Sequence, residues 1–291
     1  MSLNPTTTTT ESNNASVPAG NRLTAFDAIT PLKTDPNEVR RALSVLVPNR
    51  PIEVRIFGAC RYPKAVLSGY YDDHEKLVAD VAARNVSTQA KAVYFTLNEF
   101  DPNLLARRYN RLAEVAEGET TSDSHIVRRR SLLIDCDPVR PAYISSTDKQ
   151  HTAAITRSDQ VADYLIKGLG WPESAIARCD SGNGGHLIIG VDLPNDDASK
   201  QIVDGVLKAL AARFDDAAVK IDTTVSNAAR ICKLPGTPVR KGDSIPTHPH
   251  RVSFMRSALE ALDIVPTADL SALAAMGTAA IPKPAAGAPR P

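Results

Sequence analysis

The chain has 291 residues, and its 34 Lys and Arg nearly balance 33 Asp and Glu for a net charge of +1. That balance excludes a global basic field drawing it to nucleic acid. With 43% apolar and 23% charged residues it has the make-up of a folded globular protein, and no apolar run reaches membrane-spanning length. Residues 1–21 are rich in Thr, Ser and Asn and lack the apolar stretch of a signal peptide, so they read as a disordered tail. Cys60, Cys136, Cys179 and Cys232 are scattered, mostly in apolar contexts. They read as buried free thiols in a reducing cytosol, which implies a cytoplasmic protein.

The spacing of apolar residues predicts a helix over 36–47, a strand over 52–57 and its hairpin partner over 65–71. Asp72 or Asp73 would cap a helix to about residue 83, with Leu77, Val78 and Val81 on one stripe. A central strand over 92–97 follows, then a helix from Pro102 to about Glu114. The next strand ends in Leu132, Leu133, Ile134, Asp135, Cys136 and Asp137. A helix over 151–169 and strands over 175–179 and 185–193 come next. Asp196 or Asp197 then opens a helix to Phe214, ahead of short strands at Asp222 and Arg230. This order lacks a regular βαβα rhythm, so it predicts an α+β fold with a mixed or antiparallel sheet. From residue 262 to the end, at 291, Ala and Pro dominate, which reads as a semi-stiff linker with a further domain beyond it.

Strand alternation puts Leu133, Asp135 and Asp137 on one face and Leu132, Ile134 and Cys136 on the other. Two positions along a strand span about 6.6 Å. Two carboxylates at that distance repel by about 2.5 kcal/mol for an effective dielectric of roughly 20. A divalent cation between them relieves that repulsion, and hard ions such as Mg²⁺ prefer oxygen ligands. Taken alone, the pair also reads as solvated acids ending a strand before Pro138.

Ser181, Gly182, Asn183, Gly184, Gly185 and His186 form a glycine-rich turn running into a strand. Such a turn can point backbone N–H groups at an anion, with Ser181 and Asn183 adding side-chain donors and His186 a phosphate contact or proton carrier. It reads equally as a hairpin whose glycines serve only geometry. Further on, Ile221 and Asp222 offer a third acid, followed by Asn227, Arg230 and Lys233. Strict alternation would separate Arg230 from Lys233, so a bulge or twist is needed if both are to meet one phosphate.

The three motifs together resemble the archaeo-eukaryotic primases, in particular the primase-polymerase proteins of phages, plasmids and other mobile elements. The likeness spans about residues 22–260, and it also rests on Tyr94 to Asn98, on Arg140 and Pro141, and on Leu234 to Thr237 with Arg240 to Asp243. It implies a catalytic domain over 22–261, with an N-terminal α/β lobe packed on an RNA-recognition-like sheet. It implies that Asp135, Asp137 and Asp222 hold Mg²⁺ or Mn²⁺. Ser181, Gly182, Asn183 and His186 would meet the incoming nucleotide, Arg230 and Lys233 would neutralise its phosphates, and Asn98 would line the site. The partners implied are a single-stranded DNA template, a primer, dNTPs or NTPs and a helicase domain. Some relatives carry a zinc stem, but no two cysteines here are close enough for a zinc knuckle, so zinc is not expected. A metal-dependent nuclease and a nucleotide-sugar transferase share the paired acids. A replication-initiation module that binds nucleic acid without catalysis is the alternative from another class.

Overall fold

The computed structural model describes residue 1 and residues 32–61 and 65–279. The chain divides into two units, Met1–Pro31 and Leu32–Pro291, and the fold below is that of the second. The expected tail over 2–21 and residues 280–291 of the expected linker lie outside the described residues.

Helix α1 (Pro36–Leu46) starts where Asp35 accepts the N–H groups of Asn37 and Glu38, with proline in its first turn. Strands β1 (Ile52–Phe57) and β2 (Ala65–Tyr71) pair antiparallel. Helix α2 (His74–Ala82) is capped by Asp73 and buries Leu77, Val78 and Val81 as the stripe predicts. Helix α3 (Arg84–Gln89) leads into β3 (Ala92–Thr96) and β4 (Glu99–Phe100). The expected helix after Pro102 is only a 3₁₀ turn, Pro102–Arg107, followed by β5 (Ala113–Ala116). The cause is tertiary: the chain returns alongside β2, where the N–H of Tyr70 donates to the carbonyl of Arg108 and β5 pairs with β2. Gly69 permits that approach, since a Cβ there would stand 2.4 Å from the Arg111 carbonyl oxygen.

Strand β6 (Ile126–Pro138) is the spine of the second sheet. Helix α4 (Asp148–Asp163) follows, opened by a capping box between Thr147 and Gln150. Then come β7 (Ile176–Asp180), β8 (Gly185–Pro194) and α5 (Asp197–Phe214), the last capped by Asp196. Strands β9 (Val219–Ile221), β10 (Ile231–Lys233), β11 (Pro238–Val239), β12 (Arg251–Val252) and β13 (Phe254–Met255) are short. Helix α6 (Thr267–Ala279) closes the described chain.

One sheet has the order β10-β3-β1-β2-β5 and the other β13-β7-β8-β6-β4, with β9 also on β6. All named strand pairs in both are antiparallel, so the fold is α+β with antiparallel sheets. Two short strands share one edge of β6, with β4 on its first half and β9 on its last three residues. Strand β10 ties the sheets together. Its backbone pairs with β3, while the Cys232 sulfur reaches His186 on β8.

The linker expected from residue 262 is corrected over 267–279. That segment is helical, and Leu270, Leu273 and Ala274 are buried in the main core. Small residues make the contact possible: a Cβ on Gly205 of α5 would stand 2.7 Å from the Ala274 Cβ, and one on Gly277 would stand 2.5 Å from the Gly205 carbonyl oxygen. Leu270, Leu273, Ala274 and Gly277 are the close-packed face of that helix, while Ala268, Ala272 and Ala275 are exposed.

Candidate active site

Strand β6 presents Asp135 and Asp137 at its C-terminal end, while Leu132, Ile134 and Cys136 are buried on the opposite face. Strand β8 places His186 opposite Asp135. The β6–β9 ladder pairs Cys136 with Ile221, and the N–H of Asp222 donates to the Asp135 carbonyl at 2.9 Å. Asp222 therefore stands opposite Asp135 on the same face, with Cβ atoms about 5 Å apart. Three strands thus bring together the three acids and the histidine of the sequence motifs. The Asp222 carboxylate is engaged in its own turn, its Oδ1 accepting the N–H and hydroxyl of Thr224 at 2.8 and 2.7 Å. Accordingly, no cluster of three metal-ligating side chains is assembled among the described residues.

Asp135 keeps 20% side-chain exposure, but its Oδ1 is buried without a hydrogen-bond partner. His186 Nε2 lies 3.4 Å from that oxygen, outside hydrogen-bond geometry. Burial alone would raise the Asp135 pKa, yet the charges of His186, Lys233 and Lys241 outweigh it and hold the carboxyl below its ordinary range. Asp137 goes the other way: burial and the neighbouring Asp135 charge raise it, against the pull of Arg140, 3.5 Å away, and of Lys241 and His186. Two like charges on one face are being driven apart in affinity for a proton, as the strand spacing predicts.

His186 is 5% exposed. Burial would discharge it, but the Cys232 sulfur at 3.3 Å and the Asp135 carboxylate hold its pKa well above the ordinary histidine range. Both ring nitrogens face protein partners, so the imidazolium backs Asp135 instead of pointing at open space.

The glycine turn differs from an anion nest. The Gly182 N–H donates to Asp180 Oδ1, the Gly184 N–H to Ser181 Oγ, and the Ser181 N–H and hydroxyl both to the Gly184 carbonyl. Ser181 and Gly182 are thus spent on the turn itself. Gly182 has φ +82°, and a Cβ on Gly184 would stand 2.4 Å from the Cys136 carbonyl oxygen, so the glycines let the turn press against the end of β6. One donor is left over. Asn183 is 3% exposed, its Oδ1 accepts the Ser146 N–H, and its Nδ2 is buried without a partner.

Asn98 also differs from its expected role. Its Oδ1 accepts the N–H groups of Arg130 and Ser131, and its Nδ2 donates to the Ala228 carbonyl. It pins the register shift of β6 between Arg129 and Ser131 and is absent from the walls of the cleft.

That cleft holds about 780 Å³; neither Asp135 nor Asp137 is among its walls, but the charges of Lys233 and Lys241, which line it, act on both acids. Lys91, Arg230, Lys233, Arg240 and Lys241 line it together with Phe57, Tyr94 and Tyr143. Arg230 and Lys233 share it because Arg230 lies in the turn before β10, where alternation does not apply. Arg230 donates to the Thr224 carbonyl and leaves Nε buried without a partner. The Lys233 ammonium lies 4.5 Å from the centre of the Tyr94 ring. Burial works against its charge, but Tyr94, Asp135 and Asp137 outweigh it and raise the Lys233 pKa. Arg240 is committed to the carbonyls of Ala90, Leu32 and Ser87. Lys241 and Arg140 are the further cations near the acids; both stand in segments that carry the family likeness, but without an assigned role. They lie in loops, and the signal for Lys241 is its basic run with Arg240.

Among the described residues no helix is long and apolar enough to cross a membrane. No protein-family model matches the chain, and no curated protein is significantly similar to it. Among solved structures, the crystal structure of the primase RepB′ is similar over 84% of this chain at 12% identity and a TM-score of 0.43, and the chain spans 62% of that protein's length.

Proposed function

We propose that this chain is a template-directed nucleotidyl transferase, a DNA primase or polymerase of a phage or other mobile element. Its substrates on this reading are single-stranded DNA, a primer and dNTPs or NTPs. The observation that carries the reading is the ionised Asp135, whose buried Oδ1 makes no hydrogen bond, beside Asp137 and within the field of Lys233 and Lys241 of the cation-lined cleft. That oxygen makes no hydrogen bond and has only the His186 imidazole 3.4 Å behind it, which leaves the carboxylate's coordination incomplete. The oxygen donors of Asp135 and Asp137 fit Mg²⁺ or Mn²⁺. Asp222, opposite Asp135, is the third donor once its carboxylate leaves Thr224.

When bound, the ion supplies Lewis acidity that lowers the pKa of a primer 3′-hydroxyl and stabilises the pyrophosphate leaving group. The chain's own residues do the rest. His186 keeps Asp135 ionised from behind. Lys233, Lys241 and Arg230 neutralise the triphosphate in the cleft.

The test is a denaturing-gel assay on single-stranded template with labelled dNTPs or NTPs, with and without primer, in Mg²⁺ or Mn²⁺. Wild type should yield metal-dependent products, and Asp135→Ala should lose more than the 10- to 100-fold typical of changes to the partners behind a metal ligand. Primer-free lanes separate primase from primer extension. Shortened template would mean a nuclease. Absence of products, or products that persist in Asp135→Ala, would sink the reading.

A further inference from the structure

Tyr143 is 89% exposed and holds φ at +65°. Single exposed aromatics are ordinary, but a left-handed φ on a bulky residue is an outlier that costs on the order of 1–3 kcal/mol. The loop that bears it is braced. Arg140 Nε donates to the Ile144 carbonyl, the Ser145 hydroxyl donates to the Lys241 carbonyl, and the Ser146 N–H donates to Asn183. Gly242 completes the brace, since a Cβ there would stand 2.8 Å from the Tyr143 carbonyl oxygen. The chain thus fixes the backbone of a side chain that it leaves in solvent. The ring stands at the wall of the basic cleft, which Phe57 and Tyr94, in edge-to-face contact with ring centres 5.4 Å apart, also line.

We propose that Tyr143 is a stacking platform for a nucleobase whose phosphates meet Lys233 and Lys241. This rests on the nucleotidyl-transfer reading. An aromatic face tolerates any base, while the cations beside it track phosphate, and that pairing is how single-stranded nucleic acid and nucleotides are held without sequence preference. The base belongs either to a mononucleotide in the cleft or to the template strand passing its mouth.

Fluorescence anisotropy with a labelled dNTP, and separately with a labelled oligo-dT, measures both sources without requiring turnover. Tyr143→Ala should weaken binding about 5- to 150-fold, Tyr143→Leu should fall with it, and Tyr143→Trp should restore it. Competition by inorganic tripolyphosphate should be unchanged in all three, because a phosphate chain offers the ring nothing to stack on. A loss confined to the dNTP assigns the base to the mononucleotide, and a loss confined to the oligonucleotide assigns it to the template. Equal affinities in wild type and Tyr143→Ala would overturn the platform and leave nucleotidyl transfer standing. A wild type that binds neither probe would overturn both.

Discussion

Replacing Asn98 by alanine would strand three backbone groups at once: the N–H groups of Arg130 and Ser131 and the carbonyl of Ala228. Each buried group left unpaired costs about 1–3 kcal/mol, and some will find water, so Asn98→Ala should lower unfolding stability by about 2–4 kcal/mol. Urea unfolding followed by circular dichroism measures it, and a loss under about 0.5 kcal/mol, the range of an ordinary surface change, would contradict the role. The residue also shows where legibility ends at this scale. Asp135, Asp137 and Asp222 are readable because strand alternation and a terminal acid are local patterns. The partners of Asn98 lie 32, 33 and 130 positions away. No local pattern encodes them, so a buried staple and a ligand contact look alike in sequence. The same holds for Ser181, whose hydroxyl closes its own turn.

At the scale of elements, the site depends on how β9 enters beside β6. Asp216 fixes that entry, with Oδ1 accepting the N–H groups of Ala218 and Val219 and Oδ2 pairing with Arg157 of α4 at 2.6 Å. The Val219 N–H, then Arg157, depress its pKa to about 2. An unfolded Asp titrates near 3.9, so this carboxylate's contribution to stability is complete above about pH 4 and is lost as pH falls toward about 2. Asp216→Asn should therefore flatten the fall in Tm between about pH 5 and 2, because the variant has no proton to take up there. Parallel wild-type and variant curves would show that the carboxylate contributes nothing. The elements most legible in sequence are those with local signals, such as the Asp73 and Asp196 caps and the alternation of β1 and β6. The stretch after Pro102 and the C-terminal alanine run carry no such signal. Each takes its state from a surface it packs against, β2 for the first and α5 for the second.

Across the whole molecule, a net charge of +1 hides an uneven field. The run of Arg128, Arg129 and Arg130 looks like a patch for nucleic acid, but it is spent internally. Arg128 and Arg130 pair with Asp192, Arg130 also with Glu99, and buried Arg129 donates to the Ser226 carbonyl. Lys91, Arg230, Lys233 and Lys241 instead line one cleft, which gathers four cations where a polyanion could enter. On the proposed reading, two to four of these cations neutralise phosphates of a single strand. Each contact on single-stranded DNA adds about −0.7 to the slope of log K against log salt, so the wild-type slope should fall between about −1.4 and −2.8. Lys241→Ala should make it shallower by about 0.7, with affinity converging on wild type at high salt, whereas Arg128→Ala should leave it unchanged. Anisotropy titrations of a labelled oligonucleotide across a salt series give both slopes. If Arg128→Ala flattens the slope and Lys241→Ala does not, the strand runs over the outer face of β6 and the cleft is not its path.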